Sequence, residues 1–335
     1  MGNDQMSHRE RAYAMLAGKE VDRPAWSLWR HFYDQETSAE GLASAMLSFQ
    51  QTNQFDFVKV NPRAQYHVEG WGVRWDYPGK NERPRHVEAA VKNPDDWRRL
   101  KALPPDAGAL GEQLQALRLI KDGLKGEAPF IETIFNPISI AADLVESDAV
   151  LVDHLRNHPE ALKEGLDTIT HTFIGFARAC LEIGADGIFF ATTTLATRDI
   201  LTEDEYATFA RPYDLRFLAA IQSASFNVLH VCQSNAMLFP LSDYPVPAIN
   251  WAATDPTNPS LAGAALMLGG KTLIGGIGRS SLTADTPEAV LNEVRRARAQ
   301  TRGERWILGA NCTIPTSSRQ SNIDAVAKEI ASLGV

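Results

Sequence analysis

GIFFATTTLATRDILTEDEYATFARPYDLRFLAAIQSASFNVLHVC, residues 187–232, reads as one strand–helix–strand unit. Residues 187–191 and 227–231 are short, almost wholly apolar runs, the composition of parallel strands covered on both faces. Between them residues 202–223 open with TEDEYATF, where Thr202 is an N-cap and Glu205 stands three residues on, the arrangement of a capping box. The same alternation extends in both directions. Further candidate strands are residues 25–29, 55–60, 130–134, 248–251, 272–276 and 306–309. Residues 159–184 open with Pro and Glu in the first turn and close on Gly184, as a helix does. Residues 286–302 have Thr286 as cap, Pro287 at the first helical position and basic residues in the last turn. Residues 318–333 form the closing helix.

Eight strands separated by helices predict an α/β fold, a (β/α)8 TIM barrel, with a doubly wound open sheet as the alternative. An N-terminal helical extension precedes the barrel. Residues 63–103 break the alternation and read as a β-hairpin insertion plus a short helix after the second strand, on the side where such barrels carry their sites. No internal repeat, low-complexity tract or interdomain linker is evident, so residues 1–335 are expected to form a single domain.

The 335 residues carry a net charge of −8, with 44% apolar and 22% charged residues, a globular composition. The acidic balance disfavours a nucleic-acid partner, which calls for a basic face. No apolar run reaches the roughly 18–20 residues that span a bilayer, so no membrane partner is expected. The opening MGNDQMSHRERAYAM lacks the apolar core of a secretory signal, and MGNDQM fails the myristoylation pattern because position 6 is Met. Three cysteines and no export signal predict a reducing, cytoplasmic setting where thiolate is available to metal.

LHVCQSN, residues 229–235, sets His230 and Cys232 at i, i+2, and on a strand that spacing puts both side chains on one face. WILGANCTIP brings Cys312 from the end of the eighth strand. One nitrogen and two sulfurs suit zinc, and three protein ligands leave the open position of a catalytic rather than a structural site. In a barrel the ends of the fifth and eighth strands line one mouth. The plainer alternative is chance: free Cys behaves as a small buried hydrophobe, and a His at a strand end can be a satisfied core residue.

RERAYAMLAGKEVDRPAW at the start, YHVEGWGVRWDYPG…VKNPDDWRRLKAL in the insertion and TPEAVLNEVRRA…ERWILGANCTIP in the tail resemble the uroporphyrinogen decarboxylase superfamily over nearly the whole chain. The resemblance implies a TIM barrel with one of two chemistries: decarboxylation of a porphyrinogen, or zinc-dependent methyl transfer from a corrinoid to a thiol. The decarboxylases carry a MRQAGRY-like signature with two arginines near the first strand, whereas SLWRHFYDQE keeps Arg30 and lacks the second. Where they have a GHG-type run, ANCTIP places Cys312, and their acid after the second strand is not evident in VKVNPRA, where Asn61 is the nearest polar residue. HxC followed by a distant Cys matches the thiol methyltransferases instead.

The resemblance therefore implies a zinc methyltransferase. His230, Cys232 and Cys312 would hold Zn2+, and a small thiol would react as its thiolate. The methyl group would come from methylcobalamin or another methylcorrinoid on a partner protein, because no D-x-H-x-x-G cobalamin run occurs in this chain. The alternatives are a decarboxylase of the same family and a non-catalytic zinc- or corrinoid-binding subunit of a demethylation system. A homodimer through the outer helices is a further expectation.

Asp255, in WAATDPTN, is the candidate fourth metal ligand at rest; the preferred reading is that it caps the helix after the sixth strand. Arg30 can grip an anionic group or form a plain ion pair. Asn61, Arg63, Glu132, Asn136 and Thr193 are candidate substrate contacts at strand ends, with Thr192 and Thr194 beside them. Gln233, Ser234 and Asn235 are candidates to fix the His230 tautomer. Trp26, Trp29, Phe32 and Tyr33 either wall the pocket or pack, and packing is the plainer reading for most. Cys180 reads as core. GGIGR at 275–279 lacks the dinucleotide spacing, so NAD is not expected.

Overall fold

Strands that are apolar on both faces need cover on both, and a strand–helix alternation supplies it. The computed structural model describes residues 5–334, so Met1–Asp4, on which most of the N-terminal reading rests, lie outside the described residues. Seven parallel strands form one sheet in chain order. They are β1 (Val58–Val60) and, after the antiparallel hairpin of β2 (Arg74–Asp76) and β3 (Arg85–Glu88), β4 (Phe130–Phe135), β5 (Gly187–Thr192), β6 (Val228–Val231), β7 (Ala248–Trp251), β8 (Thr272–Ile277) and β9 (Trp306–Ala310). All seven are buried along nearly their whole length.

The sheet curls shut through residues 25–29, expected as a strand but present as an extended segment with a single ladder bridge, Trp26 to Leu308. Ser27 N donates to Leu308 O at 3.0 Å, Leu308 N to Ala25 O at 2.9 Å, and Asp56 N to Trp26 O at 2.9 Å. Ladder pairing stops short because the Trp26 amide donates to the Asp56 carboxylate, at 3.0 Å, rather than to a strand carbonyl. The result is a (β/α)8-type barrel with seven regular strands and one bridging segment.

Alternation along the strands decides what faces the bore. Phe57, Ile131, Phe189, Val228, Ala248, Ile274 and Ile307 fill its lower layer, with Ala12 and Met15 of the N-terminal helix His8–Ala17 closing the bottom. Two residues further along six of the strands the inward positions become Lys59, Thr133, Ala191, His230, Asn250 and Gly309. Gly309 has a packing reason: a Cβ there would stand 2.8 Å from Ile274 Cγ2 and 3.4 Å from the Trp29 indole, so glycine lets that ring occupy the bore. Helices cover the outside. In Gly108–Leu124, Leu110, Leu114, Leu117, Ile120 and Leu124 recur at helical spacing and are buried, each worth about 1.5–3 kcal/mol over exposure.

Most expected helices are present, with corrected ends. Pro159–Ile183 ends on Gly184 at φ 117°, and Gln320–Ser332 closes the chain. The Thr202–Glu205 capping box forms, but the expected 202–223 helix is two: Glu203–Phe209 and Arg211–Ala220. Pro212 starts the second, since proline cannot continue the ladder of the first. Thr286 is not a cap; Pro287 takes the N-cap position of Glu288–Thr301. The 63–103 insertion contains the hairpin and the short helix Pro94–Arg99, as expected. No described helix is long and apolar enough to cross a membrane.

Below the barrel, Asp56 is wholly buried and accepts from Arg11 Nη1 (2.6 Å), Arg23 Nη1 (2.7 Å), His8 Nδ1 (2.9 Å) and the Trp26 amide. Burial alone would raise its pKa, but His8, Arg23 and Arg11 together hold it below the usual carboxylate value. Asp56→Asn leaves buried cations facing a neutral amide, and should cost about 3–5 kcal/mol of unfolding free energy in urea denaturation at pH 7.

Candidate metal centre

His230 is the penultimate residue of β6, and Cys232 follows one residue past the strand; β9 ends at Ala310, two residues before Cys312. The ligand atoms of these three residues lie within 4.8 Å of one another, the one such group of three among the described residues. Cys232 and Cys312 are not disulfide-bonded, and their sulfurs are 3.7 Å apart. A tetrahedral ion with bonds of about 2.3 Å to sulfur holds two thiolates about 3.8 Å apart. The donor set and its spacing thus fit zinc. The hydrogen bond from Cys232 draws the Cys312 thiol well below its usual value and, with burial, pushes Cys232 well above.

The tautomer of His230 is set by an unforeseen residue. Its Nδ1 lies 2.6 Å from Asn250 Oδ1, while Asn250 Nδ2 donates to the carbonyls of Ile274 (2.9 Å) and Ala310 (3.0 Å). Two carbonyls can only accept, so the amide orientation is forced and Oδ1 must take the proton on Nδ1. Nε2 is left as a lone pair for a metal, the arrangement that outer partners impose on ligating histidines. Phe189 stacks on the ring at 5.2 Å. Gln233, Ser234 and Asn235 do other work: Ser234 donates to Asp255, and the backbone turns sharply through Gln233 and Asn235, both at positive φ.

His230 and Cys312 of the trio line a cavity of about 690 Å³. Of the expected contacts, Asn61, Arg63, Thr193 and Thr194 line it, as do Trp29 and Tyr33. Three do not. Glu132 points outward, since Ile131 and Thr133 take the inward places of β4, and it accepts from Gln113 Nε2 of the covering helix (3.1 Å). Asn136 caps the helix Pro137–Leu144 and donates to Tyr206 Oη and Asp214, both at 3.1 Å. Arg30 lies over the Phe32 ring (5.2 Å) and donates to the His31 carbonyl, with no ion pair among the described residues. Asp255 is not gathered with the trio: its carboxylate takes Ser234 Oγ (2.6 Å) and the Thr257 amide (2.8 Å), which hold its pKa low. Nor does it cap the next helix, whose cap is Ser260. Thr192 turns its hydroxyl to the His230 carbonyl, Trp26 and Phe32 pack against Phe55 and Phe49, and Cys180 is core.

Lys59, Arg83 and Arg279 line the cavity and were missed. Lys59 had a visible signal: it is the lone charge in the apolar run FVKV, at the inward parity of β1. Its ammonium donates to Asn61 Oδ1 and sits 4.9 Å over the Phe189 ring. Burial lowers its pKa to about 8. Below pH 8 the folded chain bears the full cost of the buried charge. Stability should rise from pH 8 to about 10.4, where the unfolded lysine also loses its proton. Lys59→Met should abolish that rise and stabilise the protein by about 1–3 kcal/mol at pH 7, read by urea denaturation at pH 7 and 9.5. Asn250→Ala should weaken zinc binding about 10–100-fold in a competition titration with a chelator.

A model of the family described as uroporphyrinogen decarboxylase (URO-D) matches residues 7–333. The chain is similar to the methylcobamide:CoM methyltransferase MtbA of Methanosarcina acetivorans, 24% identical over 238 residues, 67% of this chain and 69% of that protein. It is also similar to a uroporphyrinogen decarboxylase of Roseiflexus sp., 25% identical over 161 residues, 47% of this chain and 44% of that one. Among solved structures, a methyltransferase from Methanosarcina mazei superposes with a TM-score of 0.84 at 20% identity, covering 98% of this chain and 99% of the other. That likeness is one of fold.

Proposed function

This chain belongs to the uroporphyrinogen decarboxylase family, and from that membership we propose that it is a zinc-dependent methyltransferase carrying a methyl group from a methylcorrinoid on a partner protein to a small thiol. The observation that carries the reading is the His230–Cys232–Cys312 group, with sulfurs 3.7 Å apart and the His230 lone pair fixed toward them by Asn250. The relatives named for methyl transfer between a methylcobamide and CoM point the same way.

His230, Cys232 and Cys312 would hold the metal, with the acceptor thiol as its further ligand. Zinc bound there supplies Lewis acidity that keeps the acceptor thiol deprotonated at neutral pH, making it a nucleophile. Asn250 holds the imidazole in the ligating tautomer. Trp29, Phe135 and Phe189 give the cavity apolar walls that limit water around the reacting sulfur. Lys59 places a positive charge near the two cysteines, where it offsets the negative charge gathered on three sulfurs. Asn61 and Thr193 face the substrate, and the cavity mouth is where the methyl donor enters for in-line transfer.

Protein purified without added zinc should contain about one zinc per chain by mass spectrometry, and Cys312→Ser should lose it. The zinc form should demethylate methylcobalamin in the presence of coenzyme M or another small thiol, followed by the cobalamin spectrum, and the variant should not. A chain that takes no zinc even after reconstitution would sink the mechanism.

A further inference from the structure

Cys232 and Cys312 are both free thiols, both partly exposed, and their sulfurs are in direct contact at 3.7 Å. A disulfide bond is about 2.05 Å long, so closing one asks each sulfur to move by roughly 0.8 Å, which small side-chain rotations supply. Cys232 lies one residue past β6 and Cys312 two past β9, outside both strands. The chain leaves the barrel wall at Cys312, between the bond from Asn311 N to Ile277 O (2.8 Å) and that from Ile314 N to Trp29 O (2.9 Å), and this turn can follow its sulfur. Cys180 does not compete, because it is wholly buried in the helix Pro159–Ile183.

An oxidant needs to reach only one of the two sulfurs, and Cys312 lines the cavity of about 690 Å³. A small peroxide enters there by the route that admits a thiol. Attack by the Cys312 thiolate breaks the O–O bond: the sulfur is oxidised to a sulfenic acid, and the other oxygen leaves as water after taking a proton from solvent. The Cys232 thiolate then attacks that sulfur, the S–S bond forms, and the sulfenic oxygen leaves as a second water with a second proton. In sum, two thiolates, one peroxide and two protons give one disulfide and two waters. Because the partner sulfur is already in contact, capture outruns further oxidation to the sulfinic acid, which is irreversible. Thiolate is the form of cysteine that ligates metal, so the disulfide leaves His230 alone of the three ligands.

We propose that Cys232 and Cys312 are a site of reversible oxidation by peroxide, where a disulfide expels the metal and the acceptor thiol resets the pair; for the metal and the thiol this rests on the methyl-transfer reading above. The reset follows from the same geometry. An acceptor thiolate attacks the Cys312 sulfur, which the cavity presents, the S–S bond breaks, and Cys232 leaves as thiolate. A second acceptor thiolate attacks the mixed disulfide, releasing the acceptor's own disulfide and freeing Cys312. The centre therefore stays open to metal while its substrate thiol is plentiful, and shuts when peroxide rises and that thiol is exhausted.

The test exposes the zinc-loaded full chain to hydrogen peroxide, with Cys180→Ala alongside, and reads zinc released to a colorimetric chelator, intact mass without reductant, and the peptide map. Wild type and Cys180→Ala should both release one zinc for each disulfide formed and lose the mass of two hydrogens. Each should yield a single cross-link, joining Cys232 to Cys312 within one chain. Once the peroxide is removed, coenzyme M with added zinc should restore both thiols and the metal, and an acid quench during recovery should trap coenzyme M on Cys312 rather than on Cys232. Zinc retained at a peroxide level that oxidises free coenzyme M overturns the proposal. So does zinc lost with sulfinic acid and no cross-link, a cross-link through Cys180 or between chains, or a disulfide that coenzyme M fails to reduce. A chain that holds zinc and methylates thiol but forms no disulfide sinks this proposal alone. A chain that takes no zinc after reconstitution sinks the parent reading and this proposal with it.

Discussion

One buried carboxylate governs how this barrel closes. Asp56 reaches into the position where a strand carbonyl would pair with the Trp26 amide, and it binds two arginines and a histidine while doing so. A charge removed from water is costly unless every lone pair is engaged, and here every neighbour that engages it belongs to the N-terminal 26 residues. The extension before the barrel is thereby joined to the seam between its first and last strands. Ala12 and Met15, on the same helix as Arg11, then plug the bore. Closure matters to the site because His230 and Cys312 come from strands that are not neighbours in the sheet, and only a closed ring turns both ends onto one mouth.

The fold was legible because its signals are local and redundant. Apolar strand runs, caps such as Thr202 with Glu205, and Gly184 at a helix end each act within a few residues. Where local chemistry was misread the sequence still held the answer: Pro212 marks the break in the 202–223 helix. The segment at 25–29 has strand composition, yet its ladder is displaced by a side chain thirty positions away, which no local pattern reports.

At the site the HxC pair could be read because it needs only the two-residue period of a strand, and Cys312 because barrel geometry sends strand ends to one place. The same period would have excluded Glu132: with Ile131 and Thr133 facing inward, its carboxylate must face the covering helix. Lys59 stood out by the same test and was overlooked. Asn250 was illegible in kind, since its role depends on three strands meeting around one amide.

Asn250 also says why this motif belongs to a barrel rather than to the open sheet that the strand count allowed. Its Nδ2 bonds the carbonyl of Ile274 on the adjacent β8 and that of Ala310 on β9, two strands away. Across a flat sheet two strand spacings amount to nearly 10 Å, beyond the reach of an asparagine. Curvature brings those strands within one amide's span. The proton on His230, and with it the nitrogen offered to a metal, is therefore a readout of how tightly the sheet is rolled: the same His and Cys on an unrolled sheet would keep their spacing and lose their aim.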